Sequence, residues 1–523
     1  MNITLFFFFF QFLWSIPNLP VFKTARTSQF EVRSLPDGPV LPTSWAGRLP
    51  VPGRQEGNEI FFWLFEAEDK AYDDTFIIWL NGGPGCSSLV GLTGGNGPVS
   101  FLANSTALER NPYSWTQLGH VLYLDQPVGT GFSTASSPYP VRNNDMVTAD
   151  FVAWLNAFLA FFPHLQSKQI HLMGESYAGI YIPYFAAALL EGNSSHPLNI
   201  RSLSLGDGSW GNAAAMSSVT IGAYMHSQSM ALKLPKDILS VFAAADSTCG
   251  FDDVLAQAQS YPPQGKINIP GNPEDFNYRR RRDMTDVIEA SCSISPTTAA
   301  EVTTSIFNST CYGPCAAYST ALDYMDAASA GGTGIPCFDV YDIHHDCGTV
   351  DSMALMGTYF SRPDVQAALH VAGHREYSAC NSTILGTLLG APSVVPPAYT
   401  ILPALVTEHN ISLHIYNGEW DMLLNHIGTE LSIQNMTWRG AQGFGIGPQR
   451  LFYADNAAPV DGVNGWQSGE VNEGNATAGV AGYWAEERGV TYHLFREAGH
   501  SVFANKPREM FSYVRDVVVG AKG

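Results

Sequence analysis

Ser176 stands at the centre of Gly174-Glu175-Ser176-Tyr177-Ala178-Gly179, which is close to the G-x-S-x-G frame, with Ala178 in the place of the second glycine and Gly179 just beyond it. The preceding Gln169 to Met173 (QIHLM) reads as a short apolar strand, and Ile180 to Leu190 reads as a buried helix. Glycines on both sides of a serine between strand and helix suit a tight turn that lifts the hydroxyl above a sheet. A serine hydroxyl is a weak nucleophile alone, so it needs a base and a group to orient that base. Two later segments supply candidates. Leu413 to Tyr416 (LHIY) reads as a strand and runs into Asn417-Gly418-Glu419-Trp420-Asp421. Tyr492 to Phe495 reads as another strand and runs into Arg496-Glu497-Ala498-Gly499-His500, where Gly499 frees the turn. His500 would take the Ser176 proton and return it to a leaving group, while Asp421 would fix the imidazole tautomer. Acyl transfer also needs donors for an oxyanion. The stretch Trp79-Leu80-Asn81-Gly82-Gly83-Pro84-Gly85-Cys86-Ser87-Ser88 could present backbone N–H groups at close range, although taken alone it reads as an ordinary glycine-rich turn.

The elements that must position these groups are short and apolar. Ile60–Phe65, Phe76–Leu80, Val121–Leu124, Ile170–Met173, Leu203–Leu205, Leu413–Tyr416 and Val490–Phe495 have the near-continuous hydrophobicity of strands buried on both faces of a largely parallel sheet. Val147, Phe151, Trp154, Leu155, Phe158, Leu159 and Phe162 recur at helical spacing up to Pro163. Alternating strands and helices predict an α/β fold. The order serine, acid, histidine along the chain is that of α/β-hydrolases.

From Gly211 to Ser361 the text changes. Cys249, Cys292, Cys311, Cys315, Cys337 and Cys347 fall here, with a Pro/Gly-rich run and Arg279–Arg282. This stretch reads as an insertion capping the core. The four arginines read as a solvated loop, with a processing site as the alternative. The division expected is 1–22 signal peptide, 30–210 first part of the core, 211–361 cap, and 362–523 second part of the core.

With 45% hydrophobic and 14% charged residues the chain is globular rather than disordered. A net charge of −20 argues against nucleic acid or anionic membrane as a partner. Ile3 to Leu13 is an apolar run too short for a membrane span and suits a signal h-region, with an uncleaved anchor as the alternative. Sequons at Asn104, Asn193, Asn308, Asn381, Asn410, Asn435 and Asn475 and an even cysteine count agree with export, either outside the cell or to a vacuole-like or lysosome-like compartment. Cys311 and Cys315 lack a second ligand pair at zinc spacing, so a disulfide is read there and no metal or other cofactor is expected.

Taken together, WLNGGPGCSS at 79–88, DQPVGTGFS at 125–133, GESYAG at 174–179, RPDVQAALHV at 362–371, the Asp421 segment and AGH at 498–500 resemble the serine carboxypeptidase family of the α/β-hydrolase fold. The resemblance runs from about residue 30 to the C-terminus. It implies a triad of Ser176, Asp421 and His500, with the N–H groups of Gly83 and Tyr177 as the oxyanion hole. It implies that Asn81, the Gly82 N–H and Glu175 grip the substrate's terminal carboxylate. It also implies a Cys86–Cys380 disulfide and a helical, disulfide-bearing insertion, leaving the pairing of the other cysteines open.

The implied substrate is a peptide or protein C-terminus, cleaved through an acyl-enzyme. A substrate carboxylate beside Glu175 is a like-charge pair unless one holds a proton, so peptidase activity is expected to be best below about pH 6. Three positions depart from the family pattern. Gly95 or a neighbour in Gly94-Gly95-Asn96-Gly97-Pro98 stands where a second Glu is usual, Glu419 where Asp is usual, and Phe503 where Pro is common. Gly95 favours one rival reading, an acyltransferase or esterase on the same scaffold; a second rival, a non-catalytic scaffold or protective protein, is opposed by the intact Ser176, Asp421 and His500. Side-chain preference and oligomeric state are not readable.

Overall fold

The computed structural model describes residues 22–193, 198–270, 295–308, 313–330, 337–346, 348, 350–371, 373, 375–391, 395–454 and 480–520. The expected signal segment, Cys292, Cys311, Cys347, Arg279–Arg282 and Asn475 fall outside these, except that the segment's last residue, Phe22, is described.

The core is one mixed sheet of eleven strands. In chain order they are β1 (Glu31–Val32), β2 (Ser44–Pro50), β3 (Glu59–Phe65), β4 (Thr75–Leu80), β5 (His120–Asp125), β6 (Gln169–Glu175), β7 (Asn199–Gly206), β8 (Ser412–Gly418), β9 (Arg450–Tyr453), β10 (Val480–Glu487) and β11 (Val490–Phe495). Across the sheet they lie β1-β2-β3-β5-β4-β6-β7-β8-β11-β10-β9. From β5 to β11 every pair is parallel, and the pairs outside that centre are antiparallel. The fold is thus the expected α/β-hydrolase arrangement, with antiparallel flanks. Those flanks carry Gly47, Arg48 and Pro50 in β2 and a polar Glu486-Glu487 end in β10. Such residues break the continuous apolar pattern in β2 and β10, each one place in from an edge of the sheet, whereas β3 keeps it.

The central strands alternate their side chains between two cores. Phe76, Ile78 and Leu80 of β4 face one, with α1 (Asn144–Phe161) and α2 (Ala178–Ala188). Ile77 and Trp79 face the other, with Val502, Phe503, Met510 and Tyr513 near the C-terminus. Asn143 caps α1 by accepting from the Met146 N–H (3.0 Å), and Pro163, which cannot donate, follows its end. The α1 stripe read from the sequence is buried, and Phe151 stacks on Phe185 of α2 with ring centroids 3.9 Å apart.

The inserted stretch holds helices at Ile221–Ser227, Lys236–Thr248, Phe251–Ala258, Ala299–Asn308 and Ala317–Ala330. They build a third core of their own around Tyr224, Phe242, Ile306 and Met325, which meets the main body at Met422 and Leu431. The next helix, Ser352–Phe360, instead packs Met356, Tyr359 and Phe360 into the second core of the sheet. Disulfides Cys86–Cys380 and Cys249–Cys315 are present, and Cys337 is also disulfide-bonded. The first spans 294 residues of sequence and joins the two halves of the core, as the resemblance implied. Among the described residues, no helix is long and apolar enough to cross a membrane.

Candidate active site

Parallel strands end on the same side of a sheet, and ligands bind beyond those ends. Each candidate follows such an end. Asn81–Ser88 follow β4, Ser176 follows β6, Asp421 follows β8 and His500 follows β11. Register holds the ends level, with Leu80 opposite Gly174, Glu175 opposite Gly206, and Gly418 opposite Phe495.

Ser176 is half-buried with φ of 63°, a left-handed conformation unusual for a side-chain-bearing residue. The strain at this turn therefore sits on the serine itself and not on its flanking glycines. Gly174 serves close packing instead: a Cβ there would lie 2.3 Å from the Leu80 carbonyl oxygen. The Ser176 N–H donates to Gly206 O (3.0 Å), and its carbonyl accepts from Gly179 (2.9 Å) and Ser209 (3.1 Å). These bonds hold the turn in place.

The imidazole and acid lie in direct contact. His500 Nδ1 and Asp421 Oδ2 are 2.7 Å apart and both residues are buried. The other Asp421 oxygen accepts from the N–H groups of Leu423 (2.8 Å) and Leu424 (3.2 Å). Burial alone would lower the pKa of His500, but the charge and hydrogen bond of Asp421, with Glu175 and Asp339 adding, hold it above the ordinary value. The His500 N–H donates to Tyr341 O (2.7 Å), and the Tyr341 ring lies edge-on to the imidazole at 5.1 Å. Gly499 does not free the turn by its dihedrals. It makes room, since a Cβ there would meet Tyr341 O at 2.5 Å. The positive φ falls on Glu497, at 54°.

The glycine-rich loop is pressed onto the serine turn. A Cβ on Gly82 would lie 2.3 Å from the Tyr177 nitrogen and 2.8 Å from Ser176 Cβ. Gly83 has φ of 104°. The Tyr177 hydroxyl accepts from Asn144 Nδ2 (2.9 Å), fixing the residue from α1. Asp125 secures the far side of the loop, accepting from Ser87 Oγ (2.5 Å), the Ser88 N–H (3.2 Å) and the Phe132 N–H (2.8 Å). That gives the 125–133 motif a supporting task. Burial pushes the Asp125 carboxyl up to about 6.

Asn81 is fixed in orientation. Its Oδ1 accepts from Trp79 Nε1 (2.8 Å) and the Gly91 N–H (3.0 Å), which turns Nδ2 to donate to Glu175 Oε1 at 2.7 Å. Ser501 Oγ also donates to that oxygen (3.3 Å), so a neighbour of His500 touches a neighbour of Ser176. The second oxygen, Oε2, is buried with no protein partner among the described residues. Burial pushes the Glu175 carboxyl up to about 7, against the lowering effect of His500 and Ser501. Gly95, φ 143°, cannot carry a side chain where it stands, because a Cβ would lie 2.5 Å from Phe503 O. The space at Gly95 is thus closed by the backbone of residues 503 and 504. Phe503 is buried with its ring edge on Trp79 at 5.4 Å. Glu419 Oε2 accepts from the Glu497 N–H (3.1 Å) and helps shape the His500 loop.

The expected sequons divide by environment. Asn381 Nδ2 donates to Gly129 O (3.0 Å) while its Oδ1 caps the helix Ser382–Leu389, and Asn435 bonds both ways to the Ile267 backbone. Those two amides hold structure. Asn104, Asn308 and Asn410 are exposed.

Sequence reasoning passed over Asp207, Ser501 and Tyr341. Asp207 could have been found, because it follows the strand at Leu203–Leu205 just as Asp421 follows its own. Nothing local marks Tyr341, which reaches His500 from the insertion.

A family model described as serine carboxypeptidase matches residues 37–520. A carboxypeptidase Y homolog from Arthroderma benhamiae is 44% identical over 503 residues, covering 94% of each chain. The pheromone-processing carboxypeptidase kex1 of Neosartorya fischeri is 30% identical over 519 residues, 95% of this chain and 70% of that protein. The crystal structure of Kex1(delta)p, a prohormone-processing carboxypeptidase from Saccharomyces cerevisiae, is similar in fold, with a TM-score of 0.66 at 23% identity over 93% of this chain and 95% of that one.

Proposed function

The chain belongs to the serine carboxypeptidase family, and we propose that it works through Ser176, His500 and Asp421. It is a serine-type carboxypeptidase, and its substrates are peptides. In the proposed cycle the substrate's terminal carboxylate is gripped by Asn81 Nδ2, the Gly82 N–H and Glu175. Ser176 Oγ attacks the last peptide carbonyl while His500 removes its proton. The N–H groups of Gly83 and Tyr177 stabilise the oxyanion. His500 then protonates the departing amino acid, and water, activated by the same imidazole, releases the acyl group.

The observation that carries this reading is the buried Asp421–His500 contact beside the serine turn. The test is release of the C-terminal residue from a blocked dipeptide by the wild-type protein and by Ser176→Ala. Loss of turnover in the variant is expected. A variant with wild-type turnover would remove Ser176 from the mechanism.

Glu175 sets the expected pH dependence. Its acid must be neutral to donate Oε2–H to a substrate carboxylate. A carboxyl raised to about 7 does so in acid and fails above neutrality. A neutral Glu175 also withdraws one of the charges that raise the pKa of His500, while Asp421 keeps the larger share of that effect. Substrates without a free carboxylate lack this requirement, and ester or amide cleavage should persist where peptide cleavage fades.

We further propose passage through the secretory pathway. The apolar leader, the disulfides and the exposed Asn104, Asn308 and Asn410 support it.

A further inference from the structure

Asp207 directly follows β7, with φ of 43° and no exposed surface. Its N–H donates to Tyr416 O (2.9 Å), fixing it against β8. Its Oδ1 accepts from Asn417 Nδ2 (3.1 Å) and the Gly418 N–H (2.9 Å). Its Oδ2 is buried and meets no donor among the described residues. A carboxylate oxygen of Asp207, one of Asp421 and a ring nitrogen of His500 lie within 4.8 Å of one another.

Two carboxylates this close and this buried cannot both be ionised. The donors decide which one keeps the charge. Asp421 receives two backbone N–H groups on one oxygen and the imidazole on the other. Asp207 receives donors on one oxygen only. The proton therefore rests on Asp207 Oδ2. We propose that Asp207 is a positioning residue for the reaction, a neutral acid that donates its Oδ2–H to Asp421 and so sets the charge and orientation of the group that holds His500. This rests on the triad reading above.

Burial, then the charge of Asp421, push the Asp207 carboxyl well above the ordinary carboxylate range. The other titratable groups facing it are Glu175 from β6, Tyr416 from β8, Tyr492 from β11, Tyr224 from the insertion, and His500. None of them is a standing cation apart from the imidazole that Asp421 already holds. The neutral state matters for turnover. A second negative charge here would hold the imidazolium too tightly to protonate a leaving group, and would repel Asp421 from its two N–H donors.

The experiment compares Asp207→Asn and Asp207→Ala in the full-length protein, using a blocked ester that has no free carboxylate. Asparagine keeps an acceptor for Gly418 and offers an N–H to Asp421. Asp207→Asn should therefore keep kcat within about threefold of wild type, while Asp207→Ala should lose about tenfold or more, or fail to fold. Infrared difference spectra of wild type minus Asp207→Asn at pH 8.5 supply a second readout, because Glu175 is ionised there. They should contain the carbonyl stretch of a protonated carboxyl that shifts in D2O. An Asp207→Asn protein that is unfolded or as slow as Asp207→Ala, an Asp207→Ala protein with wild-type kcat, or a difference spectrum without that band would each overturn the proposal. The triad reading fails separately, through an active Ser176→Ala.

Discussion

Two carboxyl sites flank His500, one at the end of β6 and one beyond β8, and they show opposite chemistry. At the β8 site Asp421 is surrounded by N–H groups, with donors on both oxygens. At the β6 site Glu175 receives Asn81 and Ser501 on one oxygen, and the other oxygen meets no donor among the described residues. Both are buried, so burial alone does not separate them. The placement of donors does. A carboxyl with donors on both oxygens suits a permanent anion that orients a base, and one with a bare oxygen suits an acid that can give a hydrogen bond to an incoming anion.

The largest expected effect comes from breaking the anionic side. Asp421→Asn would offer its N–H to the ring nitrogen that now donates, favouring the wrong tautomer. A fall in kcat of about 10⁴-fold is expected, read by steady-state kinetics on peptide and ester alike. A fall below about tenfold would mean that the anion is not what orients His500.

Glu175→Gln probes the neutral side. The amide keeps a donor for the substrate carboxylate at every pH. Wild-type kcat/KM on free-acid peptides should drop about tenfold per pH unit above about 7, and the variant should show no such limb. Retention of the limb in the variant would assign it to another group. Ser501→Ala sharpens the same site. The hydroxyl's hydrogen bond favours the ionised form of Glu175, so its loss should move the limb upward by about half a unit. A downward shift would contradict this.

The smallest effect is on stability. Folded Glu175 keeps its proton up to about 7, while the unfolded chain releases it near 4.5, so this group costs stability as pH rises through that window. His120 and His414, pushed down to about 4 by burial, act in the opposite sense up to 6.5. Comparing melting midpoints of Glu175→Gln and wild type isolates the carboxyl. The variant's advantage should grow from pH 4.5 to 7.5, and a constant difference would argue that Glu175 is not desolvated in the free protein.

Much of this arrangement could be read from text because parallel strands buried on both faces announce themselves. FIIWL in β4 and VLYL in β5 are continuous apolar runs, and the chemistry sits just after such runs. The strands one place in from the edges, β2 and β10, were not legible, since Gly47, Pro50 and Glu487 break their apolar pattern. Tyr341 was hidden for a different reason. Its contact with His500 joins the inserted stretch to the loop after β11, far apart in sequence, and no local periodicity encodes such a meeting. The glycines misled in a specific way. At 174 and 499 they are required by neighbouring backbone rather than by their own dihedrals, and spacing alone cannot tell these reasons apart.

The bond from the His500 N–H to Tyr341 O has a practical corollary for protein engineering. Exchanging the inserted stretch between relatives would also exchange the backbone hook that holds His500, the proposed general base. A hybrid that transplanted the helices but left the stretch around 340–343 unmatched to the loop at 498–500 would carry a misaligned imidazole. Such grafts should move both segments as one cassette.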